Sequence, residues 1–358
     1  MIKIMNRFIL LGFGFSSLIS CKNKAEITDL NSLKPIVITE QTPNDTDDPA
    51  IWIHPTDPKK SIVLGTDKDM NGGLYAYDLD GKIINKVLNL KRPNNVDIAY
   101  GYNWGGEKID IAVLTERKAN SIRVFRLPDL TPIDDGGIKV FENEKGKGHN
   151  EPMGISLYTK TTDSTSQVYA IVGRKSGPSG SYLWQYELST DENKVVKGMK
   201  VREFGEYSGR KEIEAIAVDN ELGFVYYSDE TTGIRKYYAD PDLNDNTQLS
   251  FFGQEDAKRD HEGIAIYTTG KGTGYILVSD QQANKFLVYP REGASKDKHT
   301  HNLISSVSVS TDECDGAEAT NVNLGEHFPK GMLVAMTNGK SFHFYDWRQI
   351  QNEIDNAL

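Results

Sequence analysis

Cysteine and positive charge are both scarce in this sequence. Cys21 and Cys314 are the only cysteines among 358 residues, so a framework of several disulfides is excluded and the core must stabilise the fold unaided. Lysine and arginine number 41 against 51 aspartate and glutamate residues, which gives a formal net charge of −10. Such a chain is not expected to bind a nucleic-acid backbone through a basic surface, whereas an excess of acid suits the binding of cations.

Long hydrophobic runs are also missing, apart from one near the N-terminus. Residues 8–19 are mostly apolar and follow two cationic residues, which is the pattern of a signal peptide and is short for a membrane span. The run ends in Ser20-Cys21, and a small residue before such a cysteine resembles a bacterial lipobox. We expect residues 1–20 to be removed, Cys21 to be lipidated, and residues 21–34 to tether a protein of the cell envelope to its membrane. An ordinary signal peptide followed by a chance cysteine is the alternative.

Helical periodicity is weak before the final RQIQNEIDNAL, whereas strand-like repeats fill the rest of the chain. Six segments each contain an apolar run, a turn rich in Gly, Asn or Ser, and a second run centred on an aromatic, which predicts six hairpins. The aromatics recur every 48 to 61 residues, at Tyr77, Phe125, Tyr186, Tyr237, Tyr289 and Tyr345. A second repeat precedes each hairpin, a polar start followed by small and apolar residues: DDPAIWI, NNVDIAY, NEPMGISLY, EIEAIAVD, DHEGIAIY and CDGAEATN.

Together the two repeats predict an all-β fold, a six-bladed β-propeller. One inner strand, one hairpin and one outer strand make about 50 residues and four antiparallel strands, which is the size of one blade. The strand at residues 35–39 is expected to pair into the last blade and close the ring, so that residues 35–358 form a single domain. A β-sandwich pair is the alternative for a chain with many strands, but six matched repeats favour the propeller.

The inner strands of a propeller line its central channel, and the residues at their starts gather at one end of that channel, here called the mouth. Residues that end the second strand of each blade reach the same end. Carboxylates expected there include Asp47, Asp48, Glu212, Glu214, Glu230, Asp260, Glu262, Asp312 and Asp315. So many carboxylates repel one another unless cations lie among them, and oxygen ligands without paired His or Cys indicate Ca²⁺ rather than zinc. Lys68, Arg117 and Arg174 would add a site for an oxyanion such as phosphate.

Several segments at the mouth resemble a known family. DTDDPAIW, followed in order by NNVDI, NEPMGISLY and DHEGIAIY, is similar to the β-propeller phytases, calcium-dependent phosphatases that act on myo-inositol hexakisphosphate (phytate). The resemblance covers essentially the whole mature chain. It implies a 3-phytase-type phosphoric monoester hydrolase that binds several Ca²⁺ ions and takes phytate or calcium phytate as substrate, with a calcium-bridged water as the attacking group.

The resemblance also implies roles for individual residues. The family's calcium ligands fall on Asp47, Asp48, Glu214, Glu230, Asp260 and Glu262, and a last-blade calcium site falls on Asp312, Asp315 and Asn338. The phosphate-binding bases fall on Lys68, Arg117 and Arg174, with Gln281 beside them, and Glu214 and Glu230 are expected to take part in catalysis. Lys175 could take the part of Arg174, because a Gly-Lys pair is usual there. Met153 stands where Bacillus-type members carry a tyrosine, so one oxygen contact is lost.

Two other function classes remain open. A calcium-dependent propeller hydrolase of another kind, such as a sugar lactonase, would share the ring of carboxylates, but a neutral lactone does not need three cations. A non-catalytic surface propeller that binds a protein or a glycan would have no reason to concentrate acids at its axis. We expect the phytase to act as a monomer anchored to the cell envelope by its lipid.

Overall fold

The protein is a ring of six β-sheets followed by one α-helix. A computed structural model describes residues 32–162 and 166–358, so the predicted signal peptide and Cys21 lie outside the described residues. The chain opens with the short strand β1 (Val37–Ile38). Blade 1 follows with β2 (Thr46–Trp52), β3 (Ile62–Asp67), β4 (Gly72–Tyr77) and β5 (Ile83–Leu90).

Blades 2 and 3 repeat the same antiparallel order from the axis outward. In blade 2 the outer strand is divided in two, and both pieces pair with β8. The strands are β6 (Pro93–Trp104), β7 (Glu107–Glu116), β8 (Ser121–Arg126), β9 (Thr131–Pro132) and β10 (Ile138–Lys139). Blade 3 contains β11 (Pro152–Thr161), β12 (Ser166–Arg174), β13 (Leu183–Thr190) and β14 (Val196–Phe204).

The remaining three blades complete the ring. Blade 4 contains β15 (Ile216–Asp219), β16 (Phe224–Asp229), β17 (Gly233–Tyr238) and β18 (Ser250–Phe252). Blade 5 contains β19 (His261–Gly270), β20 (Thr273–Asp280), β21 (Lys285–Pro290) and β22 (Ser305–Ser308). Blade 6 contains β23 (Ala317–Thr320), β24 (Met332–Thr337) and β25 (Ser341–Asp346), with β1 as its fourth strand.

The ring is closed by its first strand. Val37 of β1 pairs with Phe344 of β25, and Thr39 N–H donates to the carbonyl of Phe342 at 3.0 Å. One blade therefore takes strands from both ends of the chain, which ties the two ends together. The predicted fold, its six blades and its closure by the N-terminal strand are confirmed.

The final RQIQNEIDNAL, the segment before which helical periodicity is weak, forms most of α1 (Trp347–Ala357). The carboxylate of Asp346 caps it by accepting from Arg348 N–H at 3.0 Å. Trp347, Ile350 and Ile354 are buried in an apolar cluster shared with residues of blades 5 and 6. Four single-turn 3₁₀ helices also occur within the described ranges: Pro58–Lys60, Arg117–Ala119, Pro241–Leu243 and Gln281–Ala283. No helix in the described part of the chain is long and apolar enough to cross a membrane.

The axis is as crowded as the small residues in the inner strands predict. A Cβ atom added to Gly263 of β19 would lie 2.8 Å from the backbone nitrogen of Ala317 in the next blade. One added to Gly154 of β11 would overlap the carbonyl oxygen of Glu214. Because neighbouring inner strands approach this closely, a side chain in these positions would push the blades apart.

Candidate active site

Irregular pairing at the start of four inner strands shapes the mouth. In β2 the register shifts between Thr46 and Pro49, and equivalent shifts occur at the starts of β6, β11 and β19. A regular strand turns successive side chains to opposite faces, but a bulge re-aims them. Asp47 and Asp48 lie within the shift of β2, so both can be directed toward the axis, one into the mouth and one into the channel.

The first half of the mouth surrounds Lys68, which lies immediately after β3. Its ammonium contacts Asp47 Oδ1 and lies 3.4 Å from Asp315 Oδ2 and 3.5 Å from Glu214 Oε1. Asn94 Nδ2 donates to Asp47 Oδ2 at 2.9 Å and also contacts Glu214, while Gln281 Nε2 donates to Asp315 Oδ1. Carboxylates from blades 1, 4 and 6 are thus gathered on one cation that is only 12% exposed.

The second half of the mouth is built by Glu230, Asp260 and Glu262, which are all at most 3% exposed. One oxygen of each has no hydrogen-bond partner among the described residues: Glu230 Oε1, Asp260 Oδ1 and Glu262 Oε2. Lys211 reaches two of the other oxygens, with Nζ 2.6 Å from Glu230 Oε2 and 3.0 Å from Asp260 Oδ2. Buried carboxylate oxygens without a donor are costly, so three together favour a site that binds a cation.

The two halves are joined at Glu214. Glu212, Glu214 and Glu230 each offer one oxygen, and these oxygens all lie within 4.8 Å of one another. Lys175 forms an ion pair with Glu212. The mouth is therefore one continuous carboxylate cluster, and Lys68, Lys175 and Lys211 each form ion pairs within it.

The electrostatics of the cluster show that positive charge is in short supply. Burial raises the pKa of Glu230 to about 7, and nearby Glu214 adds to the shift. Burial likewise raises the pKa of Asp315 to about 6. It also holds the pKa of Glu262 well above its usual range, and repulsion from Glu230 raises that pKa further. Burial opposes ionisation of Glu214 too, but Lys68 keeps the pKa of Glu214 below its usual value. A divalent cation would favour the ionised form of all four groups.

The donor set excludes a zinc site of the usual kind. His261 lies between Asp260 and Glu262, but its Nε2 is 2.7 Å from the carbonyl oxygen of Gly253. His299 and His301 form a His-x-His pair in the loop after β21, where His301 contacts the carbonyl of Pro290 and the ammonium of Lys236. The candidate metal ligands that the described residues bring to the mouth are carboxylate oxygens, which suit a hard cation such as Ca²⁺.

Four predicted site residues lie away from this cluster. Asp48 accepts from Val96 N–H at 3.0 Å and lines a channel cavity of about 170 Å³ below the mouth. Asp312 contacts Asn284, while the exposed Asn338 contacts Glu313. The backbone N–H of Asn338 donates to the carbonyl of Asp312 at 3.0 Å, so these two residues lie together, and of the last-blade trio only Asp315 joins the mouth.

Arg174 is the fourth, and its side chain lies inside blade 3. It is fully buried, donates to Glu144 Oε2 and to the carbonyl of Ser181 at 2.7 Å each, and lies over the ring of Phe141. Lys175, the alternative base, reaches the cluster instead. Arg117 pairs with Glu151 at 3.0 Å, and its charge contributes to the lowered pKa of Glu214. Met153, at the expected tyrosine position, is buried.

Sequence reasoning missed Lys211. It lies one residue before Glu212, at the start of the inner segment of blade 4. Its position directly before an acidic inner-strand start was the only available signal, and an exposed lysine in a loop is common without any role. The contact with Glu230 and Asp260 depends on the approach of blades 4 and 5, which sequence spacing does not specify.

Comparison with known proteins is consistent with this arrangement. The family model described as "Phytase" matches residues 9–357. The chain is 32% identical over 324 residues to the "3-phytase" of Bacillus subtilis (strain 168), which covers 86% of this chain and 81% of that protein. A chain of a solved structure titled "Crystal Structure of Mitotic Checkpoint Complex" aligns with a TM-score of 0.47 at 11% identity, over 95% of this chain and 100% of that chain. So distant a likeness supports no conclusion about this protein.

Proposed function

Because the chain belongs to the phytase family and is a phytase-type phosphoric monoester hydrolase, we propose that the mouth is a calcium-dependent site for the hydrolysis of phytate. The observation that carries the proposal is the set of three buried, unpartnered oxygens on Glu230, Asp260 and Glu262, together with the approach of Glu230 to Glu214 within 4.8 Å. These residues and Asp47 would hold the ions. When bound, calcium supplies neutralisation of phosphate charge and acidification of a water that attacks phosphorus.

The cations of the mouth would bind the substrate phosphates. Lys68 and Arg117 are 12% and 11% exposed and are held by carboxylates, so their positions are fixed before substrate arrives. Preorganised positive charge stabilises the charge that develops on a transferring phosphoryl group. Lys175 is more exposed, at 35%, and can reach a neighbouring phosphate of the inositol ring. Arg174 would not contact substrate. Its guanidinium donates to the carbonyl of His149, so Arg174 would influence the site only by holding the loop that carries His149.

The proposal is tested by phosphate release from phytate at neutral pH. Protein depleted of metal should be inactive, and added Ca²⁺ should restore release in a saturable way, whereas Mg²⁺ should restore it poorly because it prefers a small octahedral site. A neutral sugar lactone in the same assay separates phytase from lactonase chemistry. Full phosphate release in excess chelator, or lactone opening without phosphate release, would contradict the proposal.

We also propose that residues 1–20 are a signal peptide and that a lipid on Cys21 anchors the enzyme, as a monomer, to the cell envelope. The tether is compatible with the positions of Leu33 and Lys34. Leu33 bridges to Val309 and the carbonyl of Lys34 accepts from Gln349 of α1, so the chain enters at the outer edge of the ring. Cys21→Ser should shift the enzyme from the membrane fraction to the soluble fraction, and equal partition of both forms would refute the anchor.

A further inference from the structure

Lys211 differs from the other cations of the mouth in how it is held. Its side chain is 41% exposed, while its partners Glu230 and Asp260 are only 2% and 3% exposed at the side chain. It belongs to the loop between β14 and β15, where its carbonyl accepts from the hydroxyl of Tyr207. A flexible lysine thus reaches from the solvent side onto two buried carboxylates of different blades.

Both carboxylate residues also have contacts that do not involve Lys211. Gln282 Nε2 donates to Asp260 Oδ2 at 2.7 Å, and the backbone N–H of Asp260 donates to Gln282 Oε1 at 3.0 Å. Glu230 is fixed through its backbone, whose N–H donates to the carbonyl of Glu212 at 3.3 Å. Removal of the ammonium would therefore free Glu230 Oε2 and leave Asp260 Oδ2 with Gln282 as its donor, while both residues remain held by contacts that do not involve Lys211.

The same two carboxylates supply two of the three unpartnered oxygens in the second half of the mouth. A divalent cation that takes Glu230 Oε1 and Asp260 Oδ1 would lie beside an ammonium bound to the opposite oxygens. Like charges this close repel strongly where water is partly excluded. The ion and the ammonium cannot both keep their best contacts.

We propose that Lys211 is an internal cation that competes with calcium for the Glu230–Asp260 half of the mouth, so that ion binding there requires the lysine to withdraw. The inference rests on the proposed calcium dependence. Its consequence is a calcium threshold: the half-site stays neutralised by Lys211 at low calcium and is opened only when calcium is abundant. The partly exposed lysine can withdraw into solvent, which the more buried Lys68 cannot do so easily.

The test is calcium binding by isothermal titration calorimetry on metal-depleted full-length protein. Lys211→Met should tighten the weakest resolved calcium step by about five- to tenfold, the loss of roughly one partly exposed ion pair. Lys211→Gln should tighten it similarly, which shows that charge rather than shape matters. Arg210→Met is the matched control, since Arg210 is exposed, carries the same charge one residue away, and forms no ion pair among the described residues.

Tightening in both Lys211 variants beyond that in Arg210→Met would support the proposal. Unchanged or weaker binding in Lys211→Met or, if that variant does not fold, in Lys211→Gln would overturn it. A wild-type protein that binds no calcium and needs none to release phosphate would instead overturn the proposed function. Wild-type protein that binds calcium and requires it, with Lys211 and Arg210 variants alike, would refute only the role of Lys211.

Discussion

Two clusters of buried charge in this propeller are built on opposite principles. Where the inner strand β15 of blade 4 ends, away from the mouth, Arg291 of blade 5 donates to both oxygens of Asp219 at 2.6 Å and contacts Glu221 at 2.9 Å. Asp219 Oδ1 also accepts from two backbone N–H groups. In the mouth, by contrast, three buried carboxylates each keep an oxygen without a donor.

Structural charge and functional charge differ in whether the buried oxygens have donors. A buried ion pair whose lone pairs are all used tolerates no ligand and serves the fold. A buried cluster with more acid than base is unstable by itself and remains only where a ligand completes it. Substitutions in the Arg291 cluster should therefore affect folding, and those in the mouth should affect turnover and calcium.

The largest expected effect is that of Glu214→Gln on turnover. Glu214 joins the two halves of the mouth, so its loss should remove a calcium ligand and lower kcat by about a thousandfold or more. The measurement is phosphate release from calcium phytate at saturating substrate. Glu187→Gln, at a half-buried position in the third strand of blade 3, serves as the control. Turnover near that of the wild type, at any calcium concentration, would remove Glu214 from the catalytic cluster.

Arg291→Met tests whether the Arg291–Asp219 cluster serves folding and not turnover. The variant leaves Asp219 buried without its guanidinium, which should cost about 3 kcal/mol of unfolding free energy. It should not change kcat at 25 °C, because Asp219 lies at the end of β15 that is away from the mouth. Urea unfolding with calcium present measures the first effect and phosphate release the second. Lost activity in protein that is still folded would show that the two clusters are coupled.

Without calcium, the carboxylates of the mouth should make the free energy of unfolding depend on pH. Burial raises the pKa of Glu230 from its usual 4.5 to about 7, so the folded state binds more protons than the unfolded state between those values. Stability contributed by the protonated form is present below pH 4.5 and is lost as the pH rises through 7. Glu230→Gln should therefore be more stable than the wild type in chelator, by about 1–2 kcal/mol at pH 8 and much less at pH 5. An equal difference at both pH values would contradict this.

The sequence predicts the ring but not the details of its mouth. The six aromatics and the small-residue starts repeat along the chain, and repetition is what specifies blades, closure and the common end to which the acids point. The bulges are different, since strict alternation would separate Asp47 from Asp48, and a register shift is decided by contacts with the partner strand. Burial of Arg174 among aromatics and the contact of Lys211 with blade 5 are likewise properties of packing between segments distant in sequence.

The smallest expected effect separates two neighbours, Arg174 and Lys175. The aromatic-lined guanidinium of Arg174 is fully buried, so Arg174→Met should lower the thermal midpoint and should reduce activity only as far as folding fails. Lys175→Met should leave the midpoint unchanged, because a pair at 35% exposure contributes at most about 1 kcal/mol. It should lower kcat/KM for phytate about five- to tenfold, mostly through KM, if its ammonium contacts a substrate phosphate. High salt should shrink that difference, since a partly exposed charge is screened. The reverse pattern, in which Arg174→Met stays folded with a raised KM and Lys175→Met behaves as wild type, would return the phosphate-binding role to Arg174.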